Sequence, residues 1–173
     1  MLAMNGTFEI REITESDAPA FLELRKQLDA ETDFLMLEPG ERQTTIEQTR
    51  AHIRDVLAQS NSTILVVEDQ GELVGYLEVS GGRYRRNRHS AHLVVALRKS
   101  HMGQGIGKRF FSRIETWARE RDLHRLELTV MTHNRRAVAL YQKMGFEIEG
   151  TKWHSLKVDG RFVNEYYMGK LLT

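Results

Sequence analysis

Apolar and polar residues alternate from Phe8 to Ile13, the period-two pattern of a strand. Thr14 and Asp17 follow in capping-box spacing, and Pro19 suits a first helical turn. Ala18, Phe21, Leu22, Leu24 and Leu28 then recur at helical spacing and line one face. The stretch around Pro39–Gly40 has turn chemistry. Beyond it, Thr45 and Gln48 form a second capping box ahead of a helix faced by Ile46, Ile53, Val56 and Leu57.

Residues 63–79 read as a hairpin, an apolar run and a second strand joined by Asp69-Gln70-Gly71-Glu72. A polar, basic loop, GGRYRRNRHS, leads into AHLVVAL (residues 91–97), which reads as the most apolar strand. Next come a glycine-rich turn and a helix with Ile106, Phe110, Ile114 and Trp117 on one face. HRLELTV is a further strand, and NRRAVALYQKMGF a short helix closed by Gly145 in a left-handed conformation. Strands over roughly 146–158 and 161–171 flank VDGR, a type I′ hairpin signal. Helices alternate with strands, yet hairpins occur in the middle and at the end. The expectation is a mixed α/β sheet in one domain, residues 1–173, not a doubly wound parallel sheet.

Composition narrows the chemistry. The 173 residues hold 25 Lys and Arg against 24 Asp and Glu, so bulk charge gives no argument for nucleic-acid binding. No cysteine is present, which excludes a disulfide framework, a thiolate nucleophile and a cysteine-ligated metal. The seven histidines show no ligand spacing, so no metal is expected. The N-terminal residues lack the charged and apolar regions of a leader, and no run approaches a membrane span. These features lead to the expectation of a cytoplasmic protein without membrane or nucleic-acid partners.

Two segments carry candidate chemistry. Met102-Gly103-Gln104-Gly105-Ile106-Gly107-Lys108 follows an apolar strand and opens a helix. Free backbone N–H groups gather at such a turn, and small residues let a phosphate approach them. Lys108 and Arg109 add positive potential. The pattern is neither a P-loop nor a dinucleotide fingerprint. In the second segment, Asn134 is placed to cap a helix or bond a ligand amide. Ala137, Leu140, Tyr141 and Met144 follow it on that helix, with Tyr141 near the apolar face.

An apolar strand, MGQGIGKRFF, another strand and then NRRAVALYQKMGF resembles the GNAT family of N-acetyltransferases. Asn134, Ala137, Leu140, Tyr141, Gly145 and Phe146 match the family's later signature, and Gln104-Gly105-Ile106-Gly107 its glycine motif. Met102 departs from the Arg or Gln that opens that motif. The resemblance covers most of the chain. It implies a central, mostly antiparallel sheet with a splayed strand pair, flanked by helices, and direct transfer of acetyl from acetyl-CoA to an amine.

The resemblance also implies site residues. The strand Leu93 to Leu97 would bind the pantetheine arm through Val95 and Leu97, and a backbone N–H near Val95 would polarise the thioester carbonyl. Gly103, Gln104, Gly105, Ile106, Gly107 and Lys108 would hold the pyrophosphate. Asn134 would bond the donor or order its loop, and Tyr141 would protonate the leaving sulfur. For the base, Glu78 at the end of its strand and His92 are the alternatives. The acceptor is expected to be a small-molecule amine, and a protein or peptide amine is the second possibility. A non-catalytic acyl-CoA-binding module and a nucleotide-binding regulator are the competing classes. Glu31, Asp33, Glu38 and Glu41 would draw a cation if they are not merely solvated. The family also makes a homodimer the expected assembly.

Overall fold

The computed structural model describes residues 8–173. The reading of the first seven residues lies outside them. In chain order the elements are β1 (Phe8–Glu12), α1 (Ala18–Glu31), α2 (Ile46–Leu57), β2 (Thr63–Asp69), β3 (Glu72–Gly81), β4 (Ser90–Leu97), α3 (Ile106–Glu120), β5 (Arg125–Met131), α4 (Arg135–Lys143), β6 (Glu147–Val158) and β7 (Arg161–Leu171). The strand order is β1-β2-β3-β4-β5-β7-β6. β4 and β5 run parallel, whereas β1–β2, β5–β7 and β6–β7 are antiparallel. The mixed sheet expected from the sequence is therefore present. Contacts group the chain into two compact units.

The first unit comprises the described residues up to Gln59, Thr63–Glu78 and Val95–Ile106. Its core joins Phe21, Leu24 and Leu28 of α1 to Ile53 and Val56 of α2, Ile64 and Val66 of β2, and Leu73 and Tyr76 of β3. Phe21 meets Tyr76 edge-on, with ring centroids 5.2 Å apart. Both capping boxes form. The Thr14 N–H donates to the Asp17 carboxylate at 2.8 Å. Thr45 donates its N–H to Gln48 Oε1 at 2.9 Å and accepts the Gln48 N–H at 3.1 Å. Ile46 departs from the expected apolar face, because the buried stripe of α2 begins one turn later at Thr49 and leaves Ile46 exposed. Gln70 and Gly71 take positive φ in the β2–β3 turn, as a tight hairpin requires.

The second unit comprises Ser60–Ser62, Val79–Val94 and Gly107–Thr173. Phe110, Ile114 and Ala118 form the buried face of α3. Trp117 is only half-buried, with the Arg121 guanidinium 4.4 Å from its ring centroid. At the other end of the unit, Asp159 and Gly160 both take positive φ in the β6–β7 turn. The hairpin they join leaves Trp153 and Phe162 largely exposed.

β4 is apolar in sequence but is not the best-buried strand. β2 and β3 are buried along most of their length, whereas Val94 is 37% exposed and Val95, Ala96 and Leu97 are half-buried. Its pairing with β5 covers only Ser90–Arg125, Ala91–Leu126 and His92–Glu127, although β4 runs on to Leu97 and β5 to Met131. This short ladder is the splayed pair.

Candidate functional site

In the first unit, Gly75 lets the end of β4 press against β3. A Cβ there would stand 2.7 Å from Leu97 Cδ1 and 3.1 Å from the Ala96 carbonyl oxygen. The Arg98 N–H donates to the Val74 carbonyl at 2.8 Å. The Arg98 side chain then reaches Glu31 at 2.8 Å and Gln27 at 2.6 Å, and Glu31 also accepts the Lys99 N–H. Glu31 is thus committed to fixing the chain after β4. Glu41 accepts the Glu38 N–H at 3.1 Å within its turn. Glu31 is thus paired rather than solvated, while Glu41 is an exposed carboxylate of the solvated-loop kind.

His101 Nε2 lies 2.7 Å from Asp69 and pins the segment entering the glycine turn. Gly103 and Gly105 have φ of 77° and 79°, conformations that favour glycine. Nothing lies within 4 Å of a Cβ built on Gly105, so this position is open to a ligand. Gln104 is exposed, and its amide reaches back to the Ser100 carbonyl at 3.4 Å. The Ile106 side chain is buried, which leaves its backbone as the part able to meet a ligand.

Glu78 lies on β3 and is buried, not a solvated strand-end carboxylate. Its Oε1 is hydrogen-bonded to Nε2 of His52 on α2. That bond raises the His52 pKa most. Burial opposes the rise, the Glu78 charge adds to it, Arg25 opposes it and Asp55 adds to it. His92, the alternative base, is half-buried on β4 in the second unit.

The sequence patterns passed over both His52 and Arg25. His52 follows the buried Thr49 by three residues and precedes the buried Val56 by four. Arg25 follows Phe21 by four and precedes Leu28 by three, a charge within an otherwise apolar stripe. These positions are the signals that mark them.

In the second unit, Gly107 has a packing reason to be glycine. A Cβ there would stand 2.7 Å from Leu140 Cδ2, so its absence lets α3 and α4 approach. Lys108 is exposed, and the Lys143 ammonium beside it holds its pKa below the usual lysine range, so two cations share this spot. Asn134 caps α4, with Oδ1 accepting the Ala137 N–H at 3.3 Å. Gly145 closes that helix at φ 93°, and the Phe146 N–H returns to the Tyr141 carbonyl at 2.9 Å. Tyr141 is buried beside Phe111 and Phe146, with ring centroids 5.5 and 6.3 Å away. Burial pushes its phenol well above the usual tyrosine range. The phenol is therefore held in its protonated form.

Comparisons with known proteins identify the family and the fold. Residues 20–146 match the model of the Acetyltransferase (GNAT) family. The L-amino acid N-acetyltransferase AaaT of Escherichia coli strain K12 is 31% identical over 112 residues, which cover 62% of this chain and 67% of that protein. A crystal structure of a GNAT-family acetyltransferase from Streptococcus pneumoniae superposes with a TM-score of 0.92 at 29% identity, covering 96% of this chain and 99% of that one. A ribosomal-protein-alanine N-acetyltransferase from Brucella melitensis gives a TM-score of 0.83 at 28% identity, covering 95% and 99%.

Proposed function

We propose that this chain, which belongs to the acetyltransferase (GNAT) family, moves the acetyl group of acetyl-CoA to the primary amine of a small molecule. The observation that carries the reading is the glycine turn after the short β4–β5 ladder, with an open Gly105 at its centre. Backbone N–H groups from Gly103 to Lys108 would hold the donor's pyrophosphate. The paired cations Lys108 and Lys143 suit the same anion. Gly107 would contribute its backbone and its close packing. The half-buried end of β4 supplies Val95 and Leu97 for the pantetheine arm, and a backbone N–H near Val95 to polarise the thioester carbonyl. Asn134 orders the start of α4, and its side-chain N–H₂ would bond the donor.

In the proposed reaction Glu78 takes a proton from the acceptor's ammonium, directly or through water, and His52 steadies the carboxylate. The free amine nitrogen attacks the thioester carbonyl carbon. The C–S bond breaks as the C–N bond forms, Tyr141 gives its proton to the departing sulfur, and the surplus proton on the new amide nitrogen passes through water to restore the phenol. No acyl-enzyme is needed, in keeping with a chain that has no cysteine.

We read residues 1–173 as one acetyltransferase domain acting in the cytoplasm as a homodimer. The family match extends into both compact units. Among the described residues no helix is long and apolar enough to cross a membrane. Exposed Trp153, Phe162 and Tyr167 on β6 and β7 offer an apolar surface to a second copy. The Brucella neighbour favours a second reading, acetylation of protein N-termini. One screen decides between the two. Free thiol release and product mass are followed with amino acids, diamines, aminoglycosides and peptides. The expected result is acetylated small amines, and turnover confined to peptides would overturn the small-molecule assignment.

A further inference from the structure

We infer that Arg25 is an anion anchor, holding the carboxylate of an acceptor that carries both an amine and a carboxylate, as an α-amino acid does. The inference rests on the acetyltransferase reading and adds the acceptor's chemical class.

Arg25 is half-buried on the core side of α1, with its guanidinium carbon 5.2 Å from the Phe21 ring centroid and 6.0 Å from that of Tyr76. Its Nε is buried and has no hydrogen-bond partner among the described residues. A buried donor without an acceptor costs stability, and the two ring faces offset only part of that cost. The neighbouring carboxylates are engaged elsewhere. Asp29 is held by Arg42 through bonds of 2.7 and 3.0 Å, and Glu78 by His52. An acid supplied from outside the chain would meet the part of the guanidinium that the half-buried side chain leaves accessible, not the buried Nε.

The position of Arg25 identifies that acid. Tyr76 and Glu78 are two residues apart on β3, so their side chains share one face. Arg25 lies against the Tyr76 ring, and its charge is felt at both Tyr76 and His52. A fixed cation therefore lies beside the carboxylate proposed to take the ammonium proton. A zwitterion meets both, its ammonium at Glu78 and its carboxylate at the guanidinium fork, which matches a carboxylate's two oxygens. A polyamine would bring a second cation towards Arg25.

The test uses amines that differ only in the carboxylate, L-phenylalanine with phenethylamine and L-methionine with 3-(methylsulfanyl)propylamine. The wild type is expected to favour the carboxylated member by at least about tenfold in kcat/KM, the scale of a charge-assisted hydrogen bond. In R25Q that ratio falls towards one, and in R25K it recovers in part. Calorimetry with N-acetyl-L-phenylalanine and N-acetylphenethylamine repeats the comparison without chemistry. Equal treatment of both members by the wild type, or equal loss for both in a folded R25Q, overturns the anchor. Discrimination between the acetylated compounds without turnover of any amine upholds the anchor and defeats the acetyltransferase reading. Turnover without preference does the reverse. The wild-type comparison stands even if R25Q does not fold.

Discussion

Glu78 and Tyr141 are both buried, and both are proposed to move a proton, yet their surroundings are opposite. Glu78 is tied to a histidine and lies within the influence of charges carried by α1 and α2. Tyr141 sits among rings, with burial alone shifting its phenol. A hydrogen-bonded polar setting lets a carboxylate accept a proton and return it. An apolar setting makes loss of the phenolic proton costly, so the hydroxyl stays protonated and able to hydrogen-bond a sulfur, while full transfer of the proton costs more than from a free phenol. In the proposed mechanism the surroundings, more than the residue type, would divide acid from base.

The largest effect expected to test this contrast is that of E78Q. Turnover should fall by roughly 10²- to 10⁴-fold, with acetyl-CoA affinity retained and the deficit deepest at low pH, where free amine is scarce. An unchanged pH–rate profile would remove Glu78 as the base, and H92N is the parallel test of the alternative. Y141F keeps the ring packing and removes the donor, so kcat should fall by roughly 10- to 10³-fold. That deficit should shrink with a thioester whose thiol is more acidic. Full activity in steady-state assays would make Tyr141 a packing residue only. G105E separates binding from proton transfer. A bulky anion in the open cradle should weaken acetyl-CoA binding by roughly tenfold, measured by titration calorimetry.

The smallest effect concerns stability. The His52 pKa is raised above its ordinary value of 6.5, chiefly by the bond to Glu78. A raised histidine stabilises the fold fully below the unfolded value and loses that contribution as pH climbs through the folded one. The wild type should therefore exceed H52N in urea stability below about pH 6, with the gap closing on the alkaline side. His52 is partly exposed, so solvent screening limits the gap to at most about 1 kcal/mol. A gap that widens with pH would refute the pairing.

Local features were legible in the sequence because local chemistry determines them. The Thr45–Gln48 box, the Asp159–Gly160 turn and Gly145 each follow from a few adjacent residues. The glycine turn and the Asn134–Tyr141 helix were also visible as candidates. The His52–Glu78 bond was not, because its partners lie 26 positions apart on different elements. The commitment of Glu31 to Arg98 spans 67 positions and was hidden for the same reason. Gly107 read as part of a phosphate motif, and only the approach of Leu140 reveals its packing role. Arg25 left a faint trace, a cation at apolar spacing, which acquires meaning once its ring neighbours are known.

The two tryptophans provide the molecule with a built-in optical contrast. Trp117 has a buried indole N–H with no partner among the described residues, whereas Trp153 on β6 is 76% exposed. Their fluorescence should separate into a shorter-wavelength component sheltered from aqueous quenchers and a longer-wavelength one open to them. Acrylamide should extinguish the Trp153 emission first. If another molecule covers the β6–β7 hairpin, that component alone should shift to the blue and resist quenching, reporting the event without any label.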